Sequence, residues 1–265
     1  MARERKGTAL ITGASAGIGA ALAPLFAAHG FDLVLIARRE APMKALASKL
    51  KRAHGTRTIV LVKDLLRPTA AREIARSLAG EPIDVLVNNA GFYEIGAFDA
   101  MKPERVRQMI QLNVATVAEL THLLLPPMIE RREGRILNVA SVAAFQAVPY
   151  LSLYAATKGF VLSLTEGLAE ELKGTGVTVT AVCPGITETE GVRSARRKSD
   201  LAATVPDLFV YDEAEVAQEA FRACMAGEVV RVPGAMVRLM TSLNQYPRSI
   251  MRIVNGLVVR RFARK

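Results

Sequence analysis

Short apolar runs alternate along this chain with stretches of helical periodicity. Seven runs read as strands: residues 7–12 (GTALIT), 31–37 (FDLVLIA), 58–62, 83–87, 135–140 (RILNVA), 177–182 and 228–232. They are near-continuous in apolar residues rather than alternating, as expected of strands covered on both faces. Helical spacing fills the gaps: up to His29, over 40–53, from near Thr69, over 103–125, 150–173 and 213–225. Pro126-Pro127 is expected to kink or end the fourth of these. Strands alternating with helices predict a three-layer α/β fold, a doubly wound parallel sheet of about seven strands. Ligands of such sheets lie outside the carboxyl ends of the strands.

Composition agrees with one domain over residues 1–265. The chain is 51% hydrophobic and 23% charged, without repeats, low-complexity stretches or linkers. Two cysteines, Cys183 and Cys224, are too few for a disulfide framework and read as reduced core thiols. No signal peptide and no apolar run of membrane-spanning length are read, which points to the cytoplasm. The net charge of +10 is uneven: residues 231–265 hold eight Arg/Lys and no acid, leaving +2 for the rest. No basic platform interleaved with aromatics accompanies it, so nucleic acid is not expected as a partner. His29, His54 and His122 lack metal-ligand spacing, and no metal site is expected.

The chemistry gathers at strand ends. Thr12-Gly-Ala-Ser-Ala-Gly-Ile-Gly19 follows the first strand and opens the first helix. Backbone N–H groups and the helix dipole favour a pyrophosphate there. Gly13 permits a tight turn, and Gly17 and Gly19 permit close backbone approach. The second strand ends Ala37-Arg38-Arg39. An NAD site usually has an acid near this point for the ribose 2′-OH. An arginine pair suits a 2′-phosphate through a charge-assisted fork; the competing reading is two solvated charges. Asp64, after the third strand, is placed either to bond an adenine amino group or to cap the helix near Thr69. Asn88-Asn89-Ala90-Gly91 ends the fourth strand, with asparagines able to tie strand ends together and a glycine leaving room for a ligand.

The fifth strand delivers Ser141, and the sixth runs into Cys183-Pro184-Gly185-Ile186-Thr187-Glu188-Thr189. The polar, basic residues 190–212 read as a mobile segment beside the site. On helix 150–173, Tyr154 and Lys158 are i and i+4 and project from one face. An ammonium beside a phenol lowers its pKa by about 1–3 units from about 10, toward general acid–base use. Ser141 is placed to hold the oxygen that exchanges the proton. Every motif falls at a strand's carboxyl end or on the helix after it, which independent accidents would not produce.

With TGASAGIG (12–19), NNAG (88–91), Asn113, Ser141, Tyr154-x-x-x-Lys158 and PG-x-x-x-T (184–189) in order, the chain resembles a short-chain dehydrogenase/reductase of the single-domain branch over about residues 7–232. The resemblance implies a Rossmann-type sheet and a Ser141–Tyr154–Lys158 site supported by Asn113. It implies cofactor contacts from Gly13, Ser15, Gly17, Ile18, Gly19, Arg38, Arg39, Asp64, Leu65, Asn89, Tyr154, Lys158, Thr187 and Thr189. Ala37 replaces the acid of NAD-preferring members, and Arg38 stands where NADP-preferring members place a basic residue, so the cofactor expected is NADP (NADPH). The implied activity is interconversion of a carbonyl and an alcohol by hydride transfer. Tyr154 gives the proton, Ser141 bonds the same oxygen, Lys158 lowers the tyrosine pKa and bonds the ribose, and Asn113 holds a water relaying protons to Lys158. The chain is also similar to members reducing lipophilic carbonyls, and the family commonly forms dimers or tetramers.

Two other readings are weighed. Enoyl reductases related to this family use Tyr-x6-Lys, but Val161 stands seven after Tyr154. A non-catalytic NADP-binding sensor would commonly have lost Ser, Tyr or Lys, and all three are present. In the basic tail, Met236, Leu239, Met240 and Leu243 form one helical stripe, and Ile250, Met251, Ile253, Val254, Leu257 and Val258 a second apolar arc. This extension, 231–265, is expected either to pack on the body or a second subunit, or to rest on an anionic membrane surface.

Overall fold

The computed structural model describes residues 5–188, 210–234 and 238. Within them the strands are β1 (Thr8–Thr12), β2 (Asp32–Ala37), β3 (Thr58–Val62), β4 (Val85–Asn88), β5 (Gly134–Val139), β6 (Val177–Val182), β7 (Ile186–Thr187), β8 (Val210–Tyr211) and β9 (Val230–Arg231). The helices are α1 (Gly17–Ala28), α2 (Glu40–His54), α3 (Ala70–Ser77), α4 (Pro103–Ile110), α5 (Thr116–Arg131), α6 (Ser152–Glu171) and α7 (Glu213–Ala226). Seven strands form one sheet in the order β3-β2-β1-β4-β5-β6-β9, with every pair parallel. The doubly wound α/β sheet expected from the sequence is therefore present.

The apolar runs explain the layers. β1 and β2 are buried at every position, because helices cover both faces. On one face Leu22 and Phe26 of α1, Met43 and Leu50 of α2, and Ala220 and Phe221 of α7 pack against Ile11, Leu35 and Val87. On the other, Ile74 of α3, Leu120, Leu124 and Met128 of α5, and Leu172 just past α6 pack against Leu10, Ile36 and Ile136. Reversal of strand order between β1 and β4 opens a crevice at the carboxyl edge.

Three sequence expectations need correction. The helix from Pro103 does not stop at Pro126-Pro127; α5 carries both prolines and ends at Arg131. Its buried residues Leu120, Leu124 and Met128 hold it on the sheet through the lost N–H groups. The same stretch, Pro103–Arg131, is long and apolar enough to cross a membrane, contrary to the sequence reading, but its apolar face is spent on the core. Finally, Val210–Tyr211 is not loop: it pairs in parallel with Ile186–Thr187. Thr189, the rest of 190–209 and the two tail stripes lie outside the described residues. Arg238 is described, and its N–H donates to the Gly234 carbonyl at 3.0 Å.

Candidate active site

The glycine turn is fastened to β4 by Asn89. Its side-chain amide donates to the carbonyls of Thr12 (2.8 Å) and Gly13 (3.4 Å), while the N–H groups of Asn89 and Ala90 donate to Thr12 Oγ1 (2.9 and 3.1 Å). Gly13 and Gly17 have φ of +69° and +60°, in the left-handed region where glycine alone is unstrained. A Cβ on Gly13 would lie 2.7 Å from the Asn89 amide nitrogen, and one on Gly19 would lie 2.8 Å from the Gly13 carbonyl oxygen. The turn thus closes on itself and leaves its backbone N–H face bare at the start of α1.

Arg38 and Arg39 are exposed at the end of β2. Arg39 reaches back to this turn, donating to Ser15 Oγ (3.5 Å) and the Ser15 carbonyl (3.4 Å). Arg39 therefore lies against the glycine turn. Asp64 is exposed and does not cap α3; its Oδ1 accepts the Leu66 N–H at 3.1 Å in a local turn, and Thr69 is the N-cap. The Leu65 side chain is buried, and its carbonyl accepts the Thr116 hydroxyl at 2.9 Å.

Asn113 lies in a π-helical turn, Gln111–Ala115, between α4 and α5. Widened turns of this kind recur at functional sites. Its amide is clamped: Oδ1 accepts the Phe92 N–H (3.2 Å), and Nδ2 donates to the Phe92 carbonyl (2.9 Å) and Thr157 Oγ1 (3.1 Å). Asn113 thereby joins the loop after Gly91 to helix α6. A Cβ on Gly91 would lie 3.1 Å from Asn113 Oδ1 and 3.6 Å from Lys158 Nζ, so these groups converge on one point.

α6 starts at Ser152 after Tyr150, whose φ of +62° turns the chain. Its first turns carry Tyr154 and Lys158. Lys158 is buried, and Nζ donates to the Val139 carbonyl of β5 at 2.7 Å. Ser141 caps the short turn Val142–Phe145, its Oγ accepting the Ala143 N–H at 3.2 Å.

Burial pushes the Tyr154 phenol up to about 12, with the hydrogen bond to Ser141 pulling the other way. The same cause brings the Lys158 ammonium down to about 8. The expected lowering of the tyrosine by the lysine is thus absent: desolvation dominates both groups. Lys158 Nζ sits 5.7 Å from the Tyr154 ring centroid, over the ring.

Sequence reading missed three neighbours. Tyr93 packs edge-on against Tyr154, with centroids 5.7 Å apart. Thr157 carries the Asn113 amide and donates to the Tyr154 carbonyl at 2.7 Å. Cys183, fully buried, lies close enough to act electrostatically on both Tyr154 and Lys158, and burial raises its own thiol to about 12. The only sequence signal for any of them was adjacency to a motif. Thr187, also buried, pairs with Tyr211 across β7 and β8, so the segment after Gly185 lies at the same edge.

Comparison with known proteins agrees with this arrangement. A family model described as short chain dehydrogenase matches residues 7–200. A short-chain dehydrogenase from Sphingobium yanoikuyae, solved in complex with NADPH, has a TM-score of 0.82 at 34% identity, covering 93% of this chain and 95% of that one. The bulky-bulky ketone specific alcohol dehydrogenase from Comamonas testosteroni has a TM-score of 0.79 at 31% identity, covering 94% and 95%. The very-long-chain 3-oxoacyl-CoA reductase of Homo sapiens is 34% identical over 206 residues, 76% of this chain and 65% of that protein. The chain spans 60%, 67% and 65% of the length of the first three curated relatives it matches. With the matched span covering well over half of its residues, and the sheet order and strand-end motifs in agreement, the chain belongs to the short-chain dehydrogenase family.

Proposed function

We propose that this protein is an NADPH-dependent oxidoreductase that interconverts a lipophilic ketone or aldehyde and its alcohol. The observation that carries the reading is the convergence of Ser141, Tyr154 and buried Lys158 beside Gly91 at the carboxyl edge of the sheet. A sensor needs no such convergence.

The residues present fit a dinucleotide. The bare turn at Gly13–Gly19 suits a pyrophosphate, since any side chain at Gly13 or Gly19 would collide with the turn or with Asn89. Arg38 and Arg39 suit a 2′-phosphate. Ser15, Gly17, Ile18, Asp64, Leu65, Asn89, Thr187 and Thr189 are the further residues we assign to the cofactor, Thr189 lying outside the described residues. When bound, the nicotinamide supplies the hydride.

The chain's own groups handle the oxygen. Tyr154, a neutral phenol well above neutral pH, donates its proton to the substrate oxygen as negative charge develops there. Ser141 holds that oxygen in place. Lys158 would bond the cofactor ribose, and its charge lies over the face of the Tyr154 ring. Asn113 fixes the wall formed by Gly91 and Phe92, and so the distance between the loop and α6. Exposed Ile186, next to Thr187 on β7, supports a lipophilic substrate. So do two relatives, the bulky-bulky ketone specific alcohol dehydrogenase and the very-long-chain 3-oxoacyl-CoA reductase.

The test is a panel of aldehydes, bulky ketones, 3-oxoacyl thioesters and steroids, each assayed with NADPH and NADH. Turnover of apolar carbonyls with NADPH, abolished in Tyr154→Phe, is the expected result. Tight NADPH binding without turnover of any carbonyl would overturn it.

A further inference from the structure

A buried polar chain runs between the sheet and the helices of one face. Asn88 and Asn138 are register partners on β4 and β5. Asn88 Nδ2 donates to Thr121 Oγ1 of α5 (3.1 Å) and to Asn138 Oδ1 (2.9 Å). Asn138 Nδ2 donates to Thr165 Oγ1 of α6 (2.9 Å), whose own hydroxyl donates to the Val161 carbonyl (2.8 Å). Asn138 and Thr165 are fully buried, and Asn88 and Thr121 are 4% and 3% exposed. Asn88 Nδ2 serves both Thr121 and Asn138, so the Asn138 amide is oriented by Asn88 before it meets α6.

Thr165 is not an arbitrary point on that helix. Tyr154, Lys158, Val161 and Thr165 follow at i, i+4, i+7 and i+11, one stripe of α6 facing β5. Lys158 meets the Val139 carbonyl, and Thr165 meets the side chain of Asn138, the preceding residue of the same strand. Seven residues of helix, about 10.5 Å of axis, separate the two attachments. Much of the face between and around them is small or β-branched (Ala155, Thr157, Val161), which packs without fixing the helix's rotation as a long interlocking side chain would. Two directional bonds on one stripe do fix it.

We propose that Asn138 and Thr165 are positioning residues: their hydrogen bond sets the rotation of α6 and so the reach of Tyr154 and Lys158 toward the reacting carbonyl. The proposal rests on the carbonyl reductase reading above. A purely structural role is the competing account, since an apolar pair of the same shape would hold the layers together as well.

The test uses the full chain with NADPH and the best carbonyl of the panel. Thr165→Val keeps shape and removes the acceptor; Thr165→Ser keeps the acceptor; Thr121→Val removes the equivalent bond at the α5 end. Expected are a fall in kcat of about tenfold or more for Thr165→Val, a moved midpoint in its kcat–pH profile, and recovery of both in Thr165→Ser. Thr121→Val should lower the melting temperature comparably while keeping the wild-type kcat and profile. Wild-type kcat and pH midpoint in Thr165→Val, or an equal loss in Thr121→Val, overturns the proposal. Should Thr165→Val not fold, Asn138→Ser, too short to span to Thr165, is read by the same criteria. Failure of the underlying reading is distinct: Tyr154→Phe would then reduce the carbonyl at the wild-type rate.

Discussion

Lys158 Nζ lies over the face of the Tyr154 ring, 5.7 Å from its centre. Its hydrogen bond goes to the Val139 carbonyl. Burial holds the proton on the phenol to about 12 and lets the ammonium keep its own only to about 8.

Those two values set the first prediction. Tyr154 is a proton donor throughout the physiological range, so reduction should be limited by the state of Lys158. The reduction kcat is expected to be flat at neutral pH and to fall as pH rises through about 8, where Lys158 loses its charge. Tyr154→Phe should keep NADPH binding and lose about 10²–10⁴-fold in turnover, the usual worth of a positioned acid. A kcat–pH profile with fluorescence titration of NADPH checks both. A profile still rising above pH 9 would remove Lys158 charge from the rate.

Burial of that lysine also costs stability. Its folded pKa of about 8 lies below the ordinary lysine value of 10.5. Below pH 8 it is charged in both folded and unfolded states, and the folded state bears the full penalty. Between about 8 and 10.5 the folded state sheds its proton first, and the penalty fades. Lys158→Met should therefore stabilise the protein by roughly 1–3 kcal/mol at neutral pH while abolishing activity. The gain should shrink as pH climbs toward 10.5, as thermal melts across that range would show. A gain that grew with pH would have the wrong sign.

Much of this was legible in the sequence, for a physical reason. Strands covered on both faces must be continuously apolar, so all seven strands of the main sheet were visible as runs, with their ends off by two residues at most. Strand ends place the motifs, so Ser141, Tyr154 and Lys158 could be brought together without coordinates. The π turn at Gln111–Ala115 was not visible, because widening one turn leaves the apolar spacing of a long helix almost intact. Nor was the inverted pKa order of Tyr154 and Lys158. Spacing along α6 reports which face they share, whereas burial depends on β5, β6 and the 91–93 loop closing over them. Of the two readings of Asp64 only the helix cap falls away, because a strand-end aspartate followed by a helix looks the same in sequence whether it bonds the helix or, as here, Leu66.

Cofactor choice follows from the β2 end. Arg38 and Arg39 are exposed at the end of β2 with no acid between them, and Arg39 already touches Ser15 of the glycine turn. A hydrogen bond to a charged group is worth about 1.5–3 kcal/mol, so NADPH should bind roughly tenfold to a hundredfold better than NADH. Arg38→Ala should erode that preference by weakening NADPH and leaving NADH almost unchanged. Arg39→Ala should weaken both, because it also loosens the turn that holds the pyrophosphate. Equal affinity of the unmodified protein for the two cofactors would show that the pair is only solvated charge.

The last prediction concerns Tyr93, whose ring meets Tyr154 edge-on at 5.7 Å. Tyr93 follows Phe92, and Phe92 is held by Asn113 through two hydrogen bonds and covered by the Arg105 guanidinium 4.4 Å above its ring. Arg105 is itself fixed by Glu94 at 2.7 Å. The loop is therefore rigid, and Tyr93 is a firm wall rather than a passing contact. An edge-to-face aromatic pair is worth about 0.5–1.5 kcal/mol beyond its burial. Tyr93→Phe keeps that pair and should leave kcat close to wild type. Tyr93→Ala removes it, frees the Tyr154 ring and widens the site. It should lower kcat by about threefold to tenfold, in line with the loss of one such contact, and raise KM most for substrates with a flat or bulky apolar group beside the carbonyl. Steady-state kinetics on a small aldehyde and a bulky ketone separate the two effects. Equal losses in Tyr93→Phe and Tyr93→Ala would mean that the hydroxyl, not the ring, is what the site uses.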